Sequence, residues 1–309
     1  MELVINPPQQ VFDQLINLSG ELNGWAHQPY DYRFYSENFD EYWFIAVVDK
    51  EKKPHENFVA GGCLARWDAE NEASLYSIGL YYCKEEYRGK GHGLPVFKAM
   101  MGIVGDGNCV LTAAVDMSEK YATTFGFKEM LPFWHMEAEI EPGKMRISAD
   151  LTEKYVTKDW KEVGEAQLEA YDLTICTRNR KKLMRNWFQQ DQVYTRIAFD
   201  SNQKIVGYCT IRVVNLNRLC AAPFYAENVE VAEVLMADMM KSIPDFASFE
   251  KLIFWYPDVN KDVERLLQKL LPSDGYHIKK DFRTQFTKNV IKARDGVVYS
   301  VACSTHQFV

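Results

Sequence analysis

No stretch of this sequence approaches the roughly 20 consecutive apolar residues that a membrane-spanning helix needs, so no membrane partner is expected. Basic residues are not in excess either. Lys and Arg number 36 against 43 Asp and Glu, a formal net charge of −7, which argues against the basic face of a nucleic-acid-binding protein. The seven cysteines are odd in number and form no CxxC pair, so neither a disulfide framework nor a structural zinc site is expected. The six histidines form no HExxH, and no metal is expected. The first residues, MELVINPPQQ, lack the basic and apolar regions of a signal peptide; with the cysteine usage this suggests the reducing cytoplasm. GxxxxGK[ST] and GxGxxG are also missing, which disfavours a P-loop NTPase and a nicotinamide oxidoreductase.

What is present is ordinary globular material: 309 residues, 47% hydrophobic and 14% aromatic, enough for about two domains with sizeable cores. After Pro7-Pro8 a helical face carries Val11, Phe12, Leu15 and Ile16. An aromatic segment, 25–34, leads to three strand patterns at 43–48, 58–65 and 74–83, separated by polar turns at 49–57 and 68–72, which reads as an antiparallel meander. A glycine turn, a helix carrying Leu94, Phe97, Met100 and Met101, a strand at 109–115, a short helix at 118–125 with Ser118 as N-cap, and one long strand at 127–140 follow. The second half repeats this order. Helices are expected at 165–171 and 178–188, strands at 193–199, 205–213 and 219–224, a helix at 229–240, a strand at 251–256, a helix at 261–271, and strands at 282–287 and 297–303. A polar stretch with Pro142 and Gly143 suggests domains at 1–142 and 156–309, joined by a linker at 143–155. The expected class is α/β (α+β): two domains, each a mixed, mostly antiparallel sheet flanked by helices.

The chemistry concentrates in Gly79–Gly93. Arg88-Gly89-Lys90-Gly91-His92-Gly93 joins a strand to a helix, and glycine at alternate positions leaves backbone N–H groups unobstructed at a helix N-terminus. With Arg88 and Lys90 beside it, such a turn suits a pyrophosphate. The plainer alternative is a flexible corner between strand and helix.

This segment resembles the RxxGxG acyl-CoA signature of the GNAT acetyltransferase superfamily, with Glu86-Tyr87 leading into it. Tyr121 followed by Gly126-Phe127 resembles that family's Y…GF motif. Trp25, Asp31 and Trp43-Phe44, and in the second half Tyr171-Asp172, Arg180, Trp187, Gly207-Tyr208 and Pro223-Phe224-Tyr225-Ala226, are similar to a tandem subfamily. In that subfamily the first domain binds acetyl-CoA and the second is degenerate.

The resemblance implies a splayed strand pair that admits the pantetheine arm along Tyr82, Cys83 and Lys84, with the pyrophosphate on Gly89, Lys90, Gly91, His92 and Gly93 beside Arg88. It implies direct transfer of the acetyl group from the co-substrate acetyl-CoA to an amine, with Tyr121 as general acid. Tyr121 stands five residues before Gly126 where the motif has four, an extra rotation of about 100° on a helix. The strand before the turn has no carboxylate, so the base stays open among Asp116, Glu119, His135, His27 and a water chain. His92 is read as packing or facing the phosphates rather than as the base. An acyl-Cys83 route is disfavoured, because no histidine is sequence-local and the family transfers directly. Trp25, His27, Tyr30 and Asp31 are candidates for acceptor binding, or for an aromatic cover over the core. The second domain has Pro223, bulky side chains and Glu227 where the glycine turn would be, which disfavours CoA there. The function expected is N-acetylation of a small amine or amino-acid-like acceptor by a monomer or homodimer. The alternatives are a protein lysine or N-terminal acetyltransferase and a non-catalytic acyl-CoA sensor.

Overall fold

Alternating buried and exposed positions along the strand patterns, and 3.6-residue apolar faces along the helices, predict layers of helix on sheet. The computed structural model, which describes residues 1–28, 30–69, 72–303 and 305–306, has that layering. Pro29 of the aromatic segment and Glu70-Asn71 of the second polar turn lie outside the described residues.

The first half contains strand β1 (Glu2–Ile5), helix α1 (Gln9–Asn23), helix α2 (Asp31–Asn38), strands β2 (Glu41–Val48), β3 (Phe58–Ala69) and β4 (Glu72–Cys83), helix α3 (Gly93–Val104), strand β5 (Asn108–Ala114), helix α4 (Ser118–Phe125), and strands β6 (Glu129–Met130) and β7 (His135–Ile140). The second half contains β8 (Val156–Asp159), α5 (Glu165–Asp172), α6 (Lys181–Phe188), β9 (Val193–Phe199), β10 (Ile205–Val214), β11 (Arg218–Ala226), α7 (Val229–Ser242), β12 (Lys251–Pro257), α8 (Asp262–Leu270), β13 (Tyr276–Phe286) and β14 (Val298–Ser300).

Among the described residues all strands belong to one 14-stranded sheet, ordered β1-β2-β3-β4-β5-β13-β7-β12-β11-β10-β9-β8, with β14 on β11 and β6 on β13. The two expected sheets are thus continuous, and their strands interleave. β13, from the second half, stands between β5 and β7 of the first, and β7 pairs on its other side with β12. Two pairs are parallel, β4 with β5 and β11 with β12, at matching places in the two halves.

On one face α3 and α4 cover β2–β5 through Val96, Phe97, Met100 and Tyr121, and α7 and α8 cover the second half. On the other face α1 packs on Phe44, Phe58 and Tyr82. There α2 and α6 share a core, with the Phe34 and Trp187 ring centroids 4.9 Å apart.

Several boundaries differ from the sequence expectation. The strand expected over 127–140 is broken at Leu131–Trp134, where Leu131 N donates to Thr284 of β13 and Pro132 offers no N–H. Residues 31–34 of the aromatic segment belong to helix α2, and α6, expected from 178, starts at Lys181. Ser118 opens α4, with Met117 at the cap position and no side-chain cap. The short edge strands β1 and β8 carry too little pattern to be read from sequence.

Candidate active site at the β4–β5 splay

β4 pairs with β5 only over Leu75–Ile78 against Asn108–Leu111. The cause lies two residues further on. Against β3, Gly61 faces Tyr82 and Cys63 faces Gly79, so Leu80 and Tyr81 together oppose Gly62 in a β-bulge. Leu80 has φ +53°, a conformation non-glycine residues rarely adopt. The bulge bends the end of β4 away from β5. Residues 79–83 of β4 therefore present an edge that β5 does not pair, the feature a linear chain of amides needs.

Beyond that edge comes the glycine turn. Gly89 and Gly91 have φ of +74° and +84°, and a Cβ at either would meet nothing within 4 Å, so they serve backbone shape rather than packing. Gly93 is different: a Cβ there would lie 2.4 Å from Tyr81 Oη. Helix α3 begins with no side-chain cap, and among the described residues the N–H groups of Gly89, Gly91, His92 and Gly93 donate to no protein acceptor. The positive end of the helix and several free donors thus face solvent together. Arg88 Nε donates to Cys83 O at 3.1 Å and its guanidinium lies over the Tyr82 ring; Lys52 and Lys90 flank Tyr87. His92 packs edge-on to Tyr87, and Lys84 Nζ donates to Glu56 O. The sequence-predicted cofactor residues are all brought together here.

Tyr121 is buried on α4, its ring stacked at 5.6 Å on Phe97. Burial, with Tyr81 and Asp116 nearby, pushes its phenol well above the ordinary value. Tyr81, which the sequence reading missed, packs edge-on against the same Phe97 at 5.4 Å, and burial pushes it up to about 12. Asp116 is exposed in the turn after β5, and Glu119 is exposed on α4. Cys83 is half-buried and pushed up by burial, more than Arg88 lowers it, so it stays a thiol. His135 is not brought to the gap. It sits on β7 opposite Phe282, whose ring it stacks on at 4.5 Å, with β13 between it and β5. It is buried with Nδ1 unpartnered, and burial lowers it to about 3.

The acceptor candidates lie on the opposite face, partly tied to the second half. The Trp25 ring meets Tyr82 edge-on at 5.8 Å, and Tyr30 is exposed near Arg212. Asp31 is fully buried. Its Oδ1 accepts from Arg212 Nη2 at 2.5 Å, and its Oδ2 accepts from Gln28 N and lies 3.3 Å from His27 Nδ1. Burial alone would raise the Asp31 carboxyl, but Arg212 and His27 outweigh it and hold it below the usual range. Arg218 of β11 donates to the carbonyls of Gly24 and Trp25, fixing the segment before His27.

The matching place in the second half is closed. β11 and β12 also part after three residues, Arg218–Cys220 against Lys251–Ile253. Here the chain's own β14 enters the gap, pairing Ser300 with Phe224 and Val298 with Tyr225. Ser300 Oγ donates to Ala221 O and accepts from Trp255 N, joining both strands. Helix α7 is capped by Asn228, whose side chain accepts from Val231 N at 3.0 Å, and Glu227 pairs with Arg294.

Residues 168–274 match the family model described as an acetyltransferase (GNAT) domain, so the match falls on the half without the glycine turn. No curated protein is significantly similar in sequence. Solved structures agree over nearly the whole chain. A proposed acetyltransferase from Pyrococcus horikoshii has a TM-score of 0.68 at 13% identity, covering 98% of this chain and 95% of its own. A tandem GNAT protein from the clavulanic acid biosynthesis pathway has a TM-score of 0.63 at 11% identity, covering 94% and 100%. A GCN5-related N-acetyltransferase from Sphaerobacter thermophilus has 0.58 at 10%, covering 97% and 98%. The class these observations define is the GNAT fold, a mixed sheet flanked by helices. Within the chain, residues 168–274 are the part that the GNAT acetyltransferase domain model matches.

Proposed function

We propose that the protein transfers the acetyl group of acetyl-CoA directly to the nitrogen of a small amine, with the first half holding the co-substrate and the second half helping to shape the acceptor site. The observation that carries this reading is the contrast between the two gaps. One is open and leads to an uncapped helix with free N–H groups; the other is filled by β14 and leads to a capped helix.

The residues present fit acetyl-CoA. The edge of β4 that β5 leaves unpaired after Ile78 offers backbone partners to the pantetheine amides around Tyr82 and Cys83, where Cys83 O accepts from Arg88 Nε. The turn at Gly89–Gly93 with Arg88 and Lys90 offers donors and charge to the pyrophosphate. The thioester supplies the activated acyl group. Tyr121, protonated throughout the neutral range, is the donor for the departing thiolate. The aromatic side chains there, Trp25 against Tyr82 and Tyr30 near Arg212, make the acceptor side ring-rich, which suits stacking on an amine, while the Asp31 charge is held inside by Arg212. Arg212 and Arg218 hold that side from the second half, so both halves contribute to it. His27 and Asp31 are buried beneath neighbouring elements, which favours a small acceptor over a protein lysine.

Calorimetric titration of the full chain with acetyl-CoA tests the reading, followed by thiol-release assays on a panel of small amines. One equivalent bound per chain is expected, with CoA released in proportion to acetylated amine. Two equivalents would contradict the asymmetry, and no binding would overturn the function.

A further inference from the structure

After filling the second gap, the chain continues into the first half. Val301 N donates to Trp255 O, Cys303 Sγ lies 3.4 Å from Tyr35 Oη, and His306 N donates to Cys303 Sγ. This path lays Thr305 directly on β4 beside its bulge. A Cβ on Gly79 would lie 2.4 Å from Thr305 Cγ2 and 2.7 Å from Thr305 O, so only glycine admits the tail there. Thr305 Oγ1 is 2.8 Å from His27 Nε2, and His27 Nδ1 is 3.3 Å from Asp31 Oδ2.

The proton positions follow from charge. Asp31 is ionised against Arg212 and only accepts, so His27 Nδ1 carries the proton toward it. Nε2 is then a bare acceptor, and the Thr305 hydroxyl donates to it. The oxygen of that hydroxyl keeps lone pairs for another donor. Gly79 is the residue before Leu80, where β4 leaves β5, and Tyr121 belongs to the cluster on the opposite face of the sheet. The order Asp31, His27, Thr305 thus ends next to the acyl end of the gap, on the acceptor side.

We infer that Thr305 and His27, backed by Asp31, form the proton-accepting relay of the amine transfer. The inference rests on the acetyl-transfer reading. The acceptor ammonium gives a proton to Thr305 Oγ1 as the Thr305 proton passes to His27 Nε2, and Asp31 stabilises the imidazolium. The nitrogen then bonds to the acetyl carbon and the carbon–sulfur bond breaks. Of the two protons the nitrogen loses, one leaves to solvent through His27; the other replaces the proton that Tyr121 gives the thiolate. Thr305 touches the acceptor and is the catalytic residue, while His27 and Asp31 act through it. The charged or titratable groups packed around His27 are Asp31 from α2, Arg212 from β10 through Asp31, Arg218 from β11 through the Gly24 and Trp25 carbonyls, and His306 from the tail.

The test uses the full chain with acetyl-CoA and a panel of primary amines: butylamine, tyramine, putrescine and glycinamide. Thr305→Val and His27→Gln are expected to lower kcat/KM at neutral pH by about 10²-fold or more, with acetyl-CoA affinity unchanged. Their kcat is expected to fall with KM for the amine little changed, the split that loss of a proton acceptor gives and a loss of packing does not. Thr305→Ser should restore the wild-type kcat, which a packing role for the threonine methyl would not. Histidine ¹⁵N NMR of the free protein should show the Nδ1–H tautomer at His27. A wild-type kcat in Thr305→Val, or the Nε2–H tautomer at His27, would overturn the relay and leave acetyl transfer standing. Failure of the wild type to bind acetyl-CoA would overturn the functional reading itself. Binding without acetylation of any of the four amines would count against both.

Discussion

Gly91 belongs to the turn proposed to hold the pyrophosphate. Its φ of +84° disfavours any L residue, and open space around it means the cost is conformational and electrostatic rather than steric. Gly91→Asp is therefore expected to fold while weakening acetyl-CoA binding by tenfold or more in calorimetry; unchanged affinity would remove the turn from the binding site. His135 makes a different prediction. Its value near 3 lies below the 6.5 of a free histidine. Between those values the unfolded chain binds a proton that the folded chain refuses, so stability falls as pH drops below about 6.5. In His135→Phe the acid-side slope of unfolding free energy against pH should lose close to one proton, measured by urea denaturation at several pH values. The glycine turn between strand and helix and the short helix that carries Tyr121 were legible in the sequence because turn chemistry and helix periodicity are local. Tyr81 and Thr305 were not, since one acquires its place from a bulge and the other from a contact 278 residues away.

Among the elements, the helices and the meander carried clear 3.6- and 2-residue periods, and the structure has them close to where those periods fall. The break before β7 and the extension of β13 back to Tyr276 were hidden, because exposed strand residues such as Lys279 and Lys280 carry no apolar alternation. β14 is only three residues long, yet it separates the fates of two otherwise similar strand–helix corners. At the contact of α2 with β10, Asp31 and Arg212 form a buried pair, and Arg212 also lies 4.5 Å from the Trp187 ring. Removing Arg212 leaves the Asp31 carboxylate in a dry site without its guanidinium, held only by His27 and the Gln28 N–H. Arg212→Leu should accordingly destabilise the protein by about 3–5 kcal/mol in equilibrium denaturation. A loss below about 1 kcal/mol would show that water reaches Asp31 and that the pair does little to join the halves.

For the molecule as a whole, the interleaved strands set how the halves depend on each other. A chain ending near Gly143 keeps β5 and β7 but loses β13, the strand between them. Such a fragment exposes one edge of β5 and leaves β7 without either of its neighbours, β13 and β12, and its far-UV signal is expected to lack a cooperative thermal transition. A soluble fragment with a sharp transition and full acetyl-CoA affinity would show that the first half is autonomous. The interleaving has a consequence during synthesis on the ribosome. The open edge of β5, complete at Ala114, waits for β13, which ends at Phe286. At elongation rates of about 5–20 residues per second, that delay of roughly 170 residues lasts on the order of 10–30 s. Throughout it the nascent chain carries an unpaired strand that other chains could join, so its yield in the cell should depend on chaperones that shield it until translation ends.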